Sequence, residues 1–130
     1  MTFELKMLAI SIILGFVHIV LASHAKSWQY GYRWTASARD ESQPPLGRVA
    51  GRLDRAATNF LETFPFFAAA VLMAHAAGRH GELTVWGTHF YLWGRLAYLP
   101  LYVLGVPLIR SIAWNVAACG IGLLLLALLS

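Results

Sequence analysis

The stretch Arg52-Leu53-Asp54-Arg55-Ala56-Ala57-Thr58-Asn59-Phe60-Leu61-Glu62-Thr63-Phe64-Pro65-Phe66-Phe67-Ala68-Ala69-Ala70-Val71-Leu72-Met73-Ala74-His75-Ala76-Ala77 decides the fold. It opens with charges and continues as an apolar run long enough to cross hydrocarbon, for which about 20 residues are needed. Arg55, Asn59 and Glu62 stand at i, i+4 and i+7, so a helix stacks them on one face. Ionisable groups at that depth are costly and turn toward protein or a water-filled cavity. Pro65 lies inside the span, where it is tolerated as a kink.

Working outward, three further apolar stretches surround this one. The pattern predicts helices over about 5–23, 50–77, 83–106 and 109–129, with a long loop over 24–49. The hydrophobic cores of the second and fourth begin near 56 and 111. The chain has 130 residues, of which 58% are hydrophobic and only 12% charged, about half the charged share of a soluble domain. A soluble fold of this size leaves too much surface exposed to hide so many apolar side chains. The apolar runs are continuous rather than alternating, which excludes a membrane barrel. The expectation is an all-α integral membrane protein, one domain over 1–130, folded as a four-transmembrane-helix bundle. Residues 7–22 followed by Ser23-His24-Ala25 resemble a cleavable signal, but the preceding segment carries no net positive charge, so the reading is a retained first span.

Connections and charge add the topology. Gly78-Arg79-His80-Gly81-Glu82 is a tight hairpin, making the second and third helices antiparallel neighbours. In the long loop, Arg39-Asp40-Glu41-Ser42-Gln43-Pro44-Pro45-Leu46-Gly47 reads as surface chain, and Trp28, Tyr30, Tyr32 and Trp34 suit the headgroup region. The chain carries ten Lys and Arg against six Asp and Glu. Lys26, Arg33, Arg39, Arg48, Arg52, Arg55 and Arg110 fall on one side, Lys6 and Arg79 on the other, and Arg95 inside a span. The positive-inside rule then places the long loop in the cytoplasm and both termini outside. No basic stripe interleaved with aromatics appears outside the spans, so nucleic acid is not an expected partner.

Chemistry is narrowed next. The single cysteine, Cys119, allows neither a disulfide framework nor a cysteine metal cluster and reads as a buried packing residue. His18, His75 and His89 are isolated, without metal-ligand spacing, and read as interhelical hydrogen-bonders. Phosphate-loop, dinucleotide and serine-hydrolase motifs are missing. What remains is polar: Arg55, Asn59 and Glu62 on the second helix, and Tyr91, Arg95, Tyr98 and Tyr102 at i, i+4, i+7 and i+11 on the third. These stripes can meet across the hairpin, and Glu62 with Arg95 is the expected structural ion pair. Arg110-Ser111 opens the fourth helix on the same side, where a guanidinium and a helix N-terminus together suit an anion.

Arg55-Ala56-x-x-Asn59-x-x-Glu62-x-x-Pro65-x-Phe67, Arg95-x-x-Tyr98-x-x-x-Tyr102 and Arg110-Ser111 resemble the MAPEG family, the membrane-associated proteins of eicosanoid and glutathione metabolism. Arg39-Asp40-Glu41 before a glycine is similar to its small bacterial branch, of the microsomal glutathione transferase type. The resemblance implies a homotrimer in a bacterial inner membrane, binding glutathione as co-substrate at each subunit interface near the cytoplasmic face. It implies a transferase or peroxidase acting on hydrophobic electrophiles or lipid hydroperoxides, without a metal; the family also implies the alternative of a non-catalytic lipid- or fatty-acid-binding protein. By position, Arg55, Asn59, Glu62, Tyr98 and Tyr102 are implied to bind glutathione. Arg110 and Ser111 are the implied catalytic residues, Arg110 by favouring the thiolate. Ala57 and Phe60 depart from the family pattern. A first-helix Arg that binds glutathione in relatives has no match, leaving Lys26 and Arg33 as substitutes.

Overall fold

The computed structural model describes residues 1–130. Four long helices and one short one make up the chain: α1 (Phe3–Tyr30), α2 (Tyr32–Ala36), α3 (Arg48–Ala76), α4 (Glu82–Val103) and α5 (Pro107–Leu129). α1, α3 and α5 are long and apolar enough to cross a membrane. α4 is less apolar because it carries His89, Arg95 and three tyrosines, of which Tyr91 and Tyr98 are buried with Arg95.

Local chemistry sets the boundaries. The Thr2 hydroxyl accepts the Leu5 N–H at 3.3 Å and caps α1. α1 runs past the expected end near residue 23 because the chain merely becomes polar there; no helix breaker comes until Gly31, at φ 93°. Much of the expected loop is therefore helical, as the end of α1 and as α2. The rest folds back as a strap. Gln29 donates to the Pro45 carbonyl at 2.9 Å and accepts the Gly47 N–H at 2.7 Å, while Trp34 donates to the Glu41 carbonyl at 3.2 Å.

Packing is tightest between α4 and α5. A Cβ on Gly94 would come within 2.8 Å of the Ala113 carbonyl, and one on Gly120 within 2.5 Å of the Gly87 carbonyl. The core between α1, α3 and α4 is aromatic: Phe67 stacks on Tyr91 at 3.9 Å, and the Tyr91 hydroxyl meets Thr63 at 3.1 Å. Ala113, Ala117, Gly120, Leu124 and Ala127 form the inward stripe of α5. Cys119 falls between those positions and is exposed, contrary to the buried role expected for it.

The interhelical role expected of His18 and His89 is also corrected. His18 bonds the Leu14 carbonyl of its own helix at 2.9 Å, and His89 accepts from Trp93 one turn on at 3.0 Å. In both cases the nearest partner lies at i±4 and satisfies one ring nitrogen first. The interhelical polar contact at the hairpin end comes from elsewhere. Glu4, buried, accepts from Thr84 at 2.6 Å and lies 3.3 Å from His80, fastening the start of α1 to the α3–α4 hairpin.

Candidate functional site

At the other end, the start of α3, the end of α4 and the start of α5 enclose a cavity of about 500 Å³. Its lining includes Arg55, Asn59, Glu62, Tyr98, Tyr102, Arg110 and Ser111, the seven residues that the sequence singles out for binding and catalysis. The stripe spacing explains why. Residues at helical steps of three and four share a face, and the hairpin turns the α4 stripe onto that of α3.

The elbow between α4 and α5 holds the cavity's far wall. Arg52 donates to the Val103 carbonyl at 3.1 Å, placing a cation at the negative end of α4. Gly105 follows at φ 74°, and Pro107 starts α5 at a position that needs no N–H. Arg110 and Ser111 follow one turn later.

Within the cavity, Tyr102 organises the cations. Its hydroxyl accepts from Arg55 Nε at 3.1 Å, and the Arg110 guanidinium lies 4.5 Å from its ring centroid. Because the phenol oxygen accepts from Arg55, its own proton remains free to donate. Tyr98 packs beside Tyr102 at 5.5 Å between ring centroids. The Ser111 hydroxyl donates to the Pro107 carbonyl at 3.3 Å, so its proton is engaged within α5.

Arg95 lies beneath the cavity rather than in its wall, with 0% exposure. Nη1 donates to Asn59 Oδ1 at 2.8 Å, and the guanidinium sits 4.3 Å from the Tyr98 ring centroid. Nε and Nη2 have no partner. The expected ion pair with Glu62 is not among the bonds that Arg95 makes: the ion pairs in the structure are Lys26–Asp54 and His80–Glu4. Asn59 lies nearer and takes the guanidinium, and Glu62 faces the cavity. Since arginine only donates, Asn59 must turn its oxygen to Arg95 and its NH₂ away from it. Within one chain, neither Lys26 nor Arg33 lines the cavity. Lys26 pairs with Asp54 at 3.3 Å, and Arg33 lines a separate hollow under the strap.

Thr58, Trp114 and Asn115 also line the cavity and were missed from sequence. Trp114 and Asn115 are one helical turn from Arg110 and Ser111, so continuing that face would have found them. Chemically, the cavity offers two guanidinium groups, one carboxylate, two phenols and two amides. That set suits a polar ligand with carboxylates and an ammonium: Arg binds carboxylate bidentately, and Glu62 is free to meet a positive group.

No curated protein and no solved structure matches the chain. A model described as the MAPEG family matches residues 7–130, which includes every residue of the cavity. This membrane protein belongs to the MAPEG family.

Proposed function

We propose that the protein binds glutathione, or a closely similar low-molecular-weight thiol, in the cavity at the α3–α4–α5 end and activates its sulfur toward apolar substrates. The observation that carries this reading is the convergence of Arg55, Asn59, Glu62, Tyr98, Tyr102 and Arg110 on a single cavity. Arg55 and the Asn59 amide take the ligand's carboxylates, and Glu62 takes its ammonium. Arg110 stands beside the sulfur. A thiol has a pKa near 8.5 in water, and a neighbouring guanidinium raises the thiolate fraction at neutral pH. Tyr102, with its proton free, adds a hydrogen bond to the anion.

Two reactions fit. In conjugation the thiolate sulfur bonds to the electrophilic carbon, and the leaving group departs with its electron pair. In peroxide reduction a hydroperoxide becomes an alcohol and water, while two thiols are oxidised to a disulfide. A transferase or peroxidase of this kind sits in the bacterial inner membrane. All four long helices span, both termini lie outside, and three copies assemble around interfacial sites. The cluster of Lys26, Arg33, Arg39, Arg48, Arg52, Arg55 and Arg110 at one end supports that orientation.

A second reading, a non-catalytic lipid-binding protein, is favoured by one observation: an apolar furrow between α3 and α5 that joins the cavity. Thermal unfolding of the detergent-purified protein separates the two. A ligand that binds only the native state raises the melting temperature, so the thiol reading expects a rise with millimolar glutathione. No rise with glutathione or other thiols, together with lipid co-purifying in the furrow, leaves the lipid-binding reading in its place.

A further inference from the structure

The polar cavity continues. Between α3 and α5 a second hollow, of about 530 Å³, begins where the first ends, and Glu62 and Trp114 line both. α3 and α5 run in the same direction, so their polar first turns lie at one level and their apolar later turns at another. Phe66 and Met73 from α3 and Ile121 and Leu125 from α5 line the second hollow, with Ala69 and Ala118 between them. The alanines keep it open. The indole of Trp114 is the bulky group at the junction, one helical turn from Arg110 and therefore close to where the sulfur of a bound thiol is held.

We propose that Trp114 is the specificity-determining residue for the apolar substrate. Next to the reacting atom its indole leaves room for an unbranched chain and excludes a branched one, while the alanine-lined furrow accepts the chain's length. This inference rests on the thiol reading above. Its physical basis is that a close-packed wall tolerates added methylenes only where space already exists.

S-alkyl glutathiones span both hollows, with the peptide in the cavity and the tail in the furrow, and their affinities for the detergent-purified protein form the test. From S-methyl to S-hexyl, each methylene tightens binding by about two- to fourfold, the upper figure corresponding to full burial. The S-tert-butyl compound binds about tenfold more weakly than S-n-butyl, the effect of overfilling a packed site. Trp114→Ala removes that difference, and Trp114→Phe, which keeps an aromatic wall, gives an intermediate ratio. Ala118→Leu narrows the furrow, so S-octyl loses its advantage over S-butyl while S-methyl binding is unchanged. If S-methyl glutathione binds but chain length brings no gain, or neither Trp114 variant changes the ratio of branched to linear ligand, the inference is overturned. If glutathione and S-methyl glutathione both fail to bind, it is the thiol reading that falls.

Discussion

Arg95 is the side chain whose surroundings demand most of its neighbours. It is fully buried, with one hydrogen bond to Asn59 and two unpartnered nitrogens. Removing the partner of a buried charge is more costly than replacing the charge by an apolar group of similar volume. Asn59→Ala should therefore lower the melting temperature more than Arg95→Met, and Arg55→Ala, at an exposed position, should lower it least. Thermal unfolding of the three variants checks the order, and Arg95→Met as the most damaging overturns it. Arg110 is tested differently. If its charge holds the thiolate, Arg110→Ala raises the pKa of the bound thiol, so the activity–pH profile moves to higher pH by about one unit. An unshifted profile with lower activity assigns Arg110 a binding role only. At this scale the sequence was informative: helical spacing grouped Arg55, Asn59 and Glu62 on one helix and Tyr98 with Tyr102 on the next, while Arg110 and Ser111 joined them through the side of the membrane on which their helix begins and through the family resemblance. It misjudged the partner of Arg95, because spacing tells which residues share a face but not which of two neighbours on that face comes closer.

The elements depend on how closely α4 and α5 approach and on the elbow that joins them. Gly105 combines a left-handed conformation with a crowded site: a Cβ there would come within 2.7 Å of the Arg52 guanidinium. Gly105→Ala should cost about 1–3 kcal/mol of stability. Gly122→Ala is the control: it lies in α5 with nothing within 4 Å of an added Cβ, and it should gain about 0.5–1 kcal/mol from helix propensity. Equal effects of the two substitutions would mean that the elbow is not a constraint. Hydropathy placed α3, α4 and α5 within about three residues of their bounds, since long apolar segments announce themselves by length. It stopped α1 too early, because apolarity ends at the membrane surface while helix geometry continues until a glycine. Cys119 was misplaced for a related reason: in an almost wholly apolar helix, hydropathy does not distinguish the face toward protein from the face toward lipid.

For the whole molecule, orientation and assembly are the quantities to measure. With Cys119 changed to Ser, a cysteine introduced at Ser42 in the strap should resist a membrane-impermeant maleimide applied to intact cells and react once the membrane is opened. Labelling from outside reverses the topology. Native mass measurement should give three copies of the chain, and a monomer counts against interfacial sites. The clustering of basic residues at one end was readable from sequence by counting. The subunit number was not, because apolar faces toward lipid and toward another copy have the same composition.

The lengths of the helices also shape the approach to the cavity. With about 1.5 Å of rise per residue, the 28 residues of α1 and the 29 of α3 each reach past 40 Å, against a hydrocarbon layer of about 30 Å. The 22 residues of α4 and the 23 of α5 nearly match that layer. α1 ends and α3 begins at the same side, so their surplus turns stand up together as a parapet along one flank of the cavity, while the α4–α5 elbow forms a low sill on the other. On the proposed reading, a water-soluble guest therefore meets a doorway with a high jamb on the α3 side and a low threshold at Arg110. On the same reading, a lipid-borne guest, arriving beneath the sill, takes the furrow between α3 and α5.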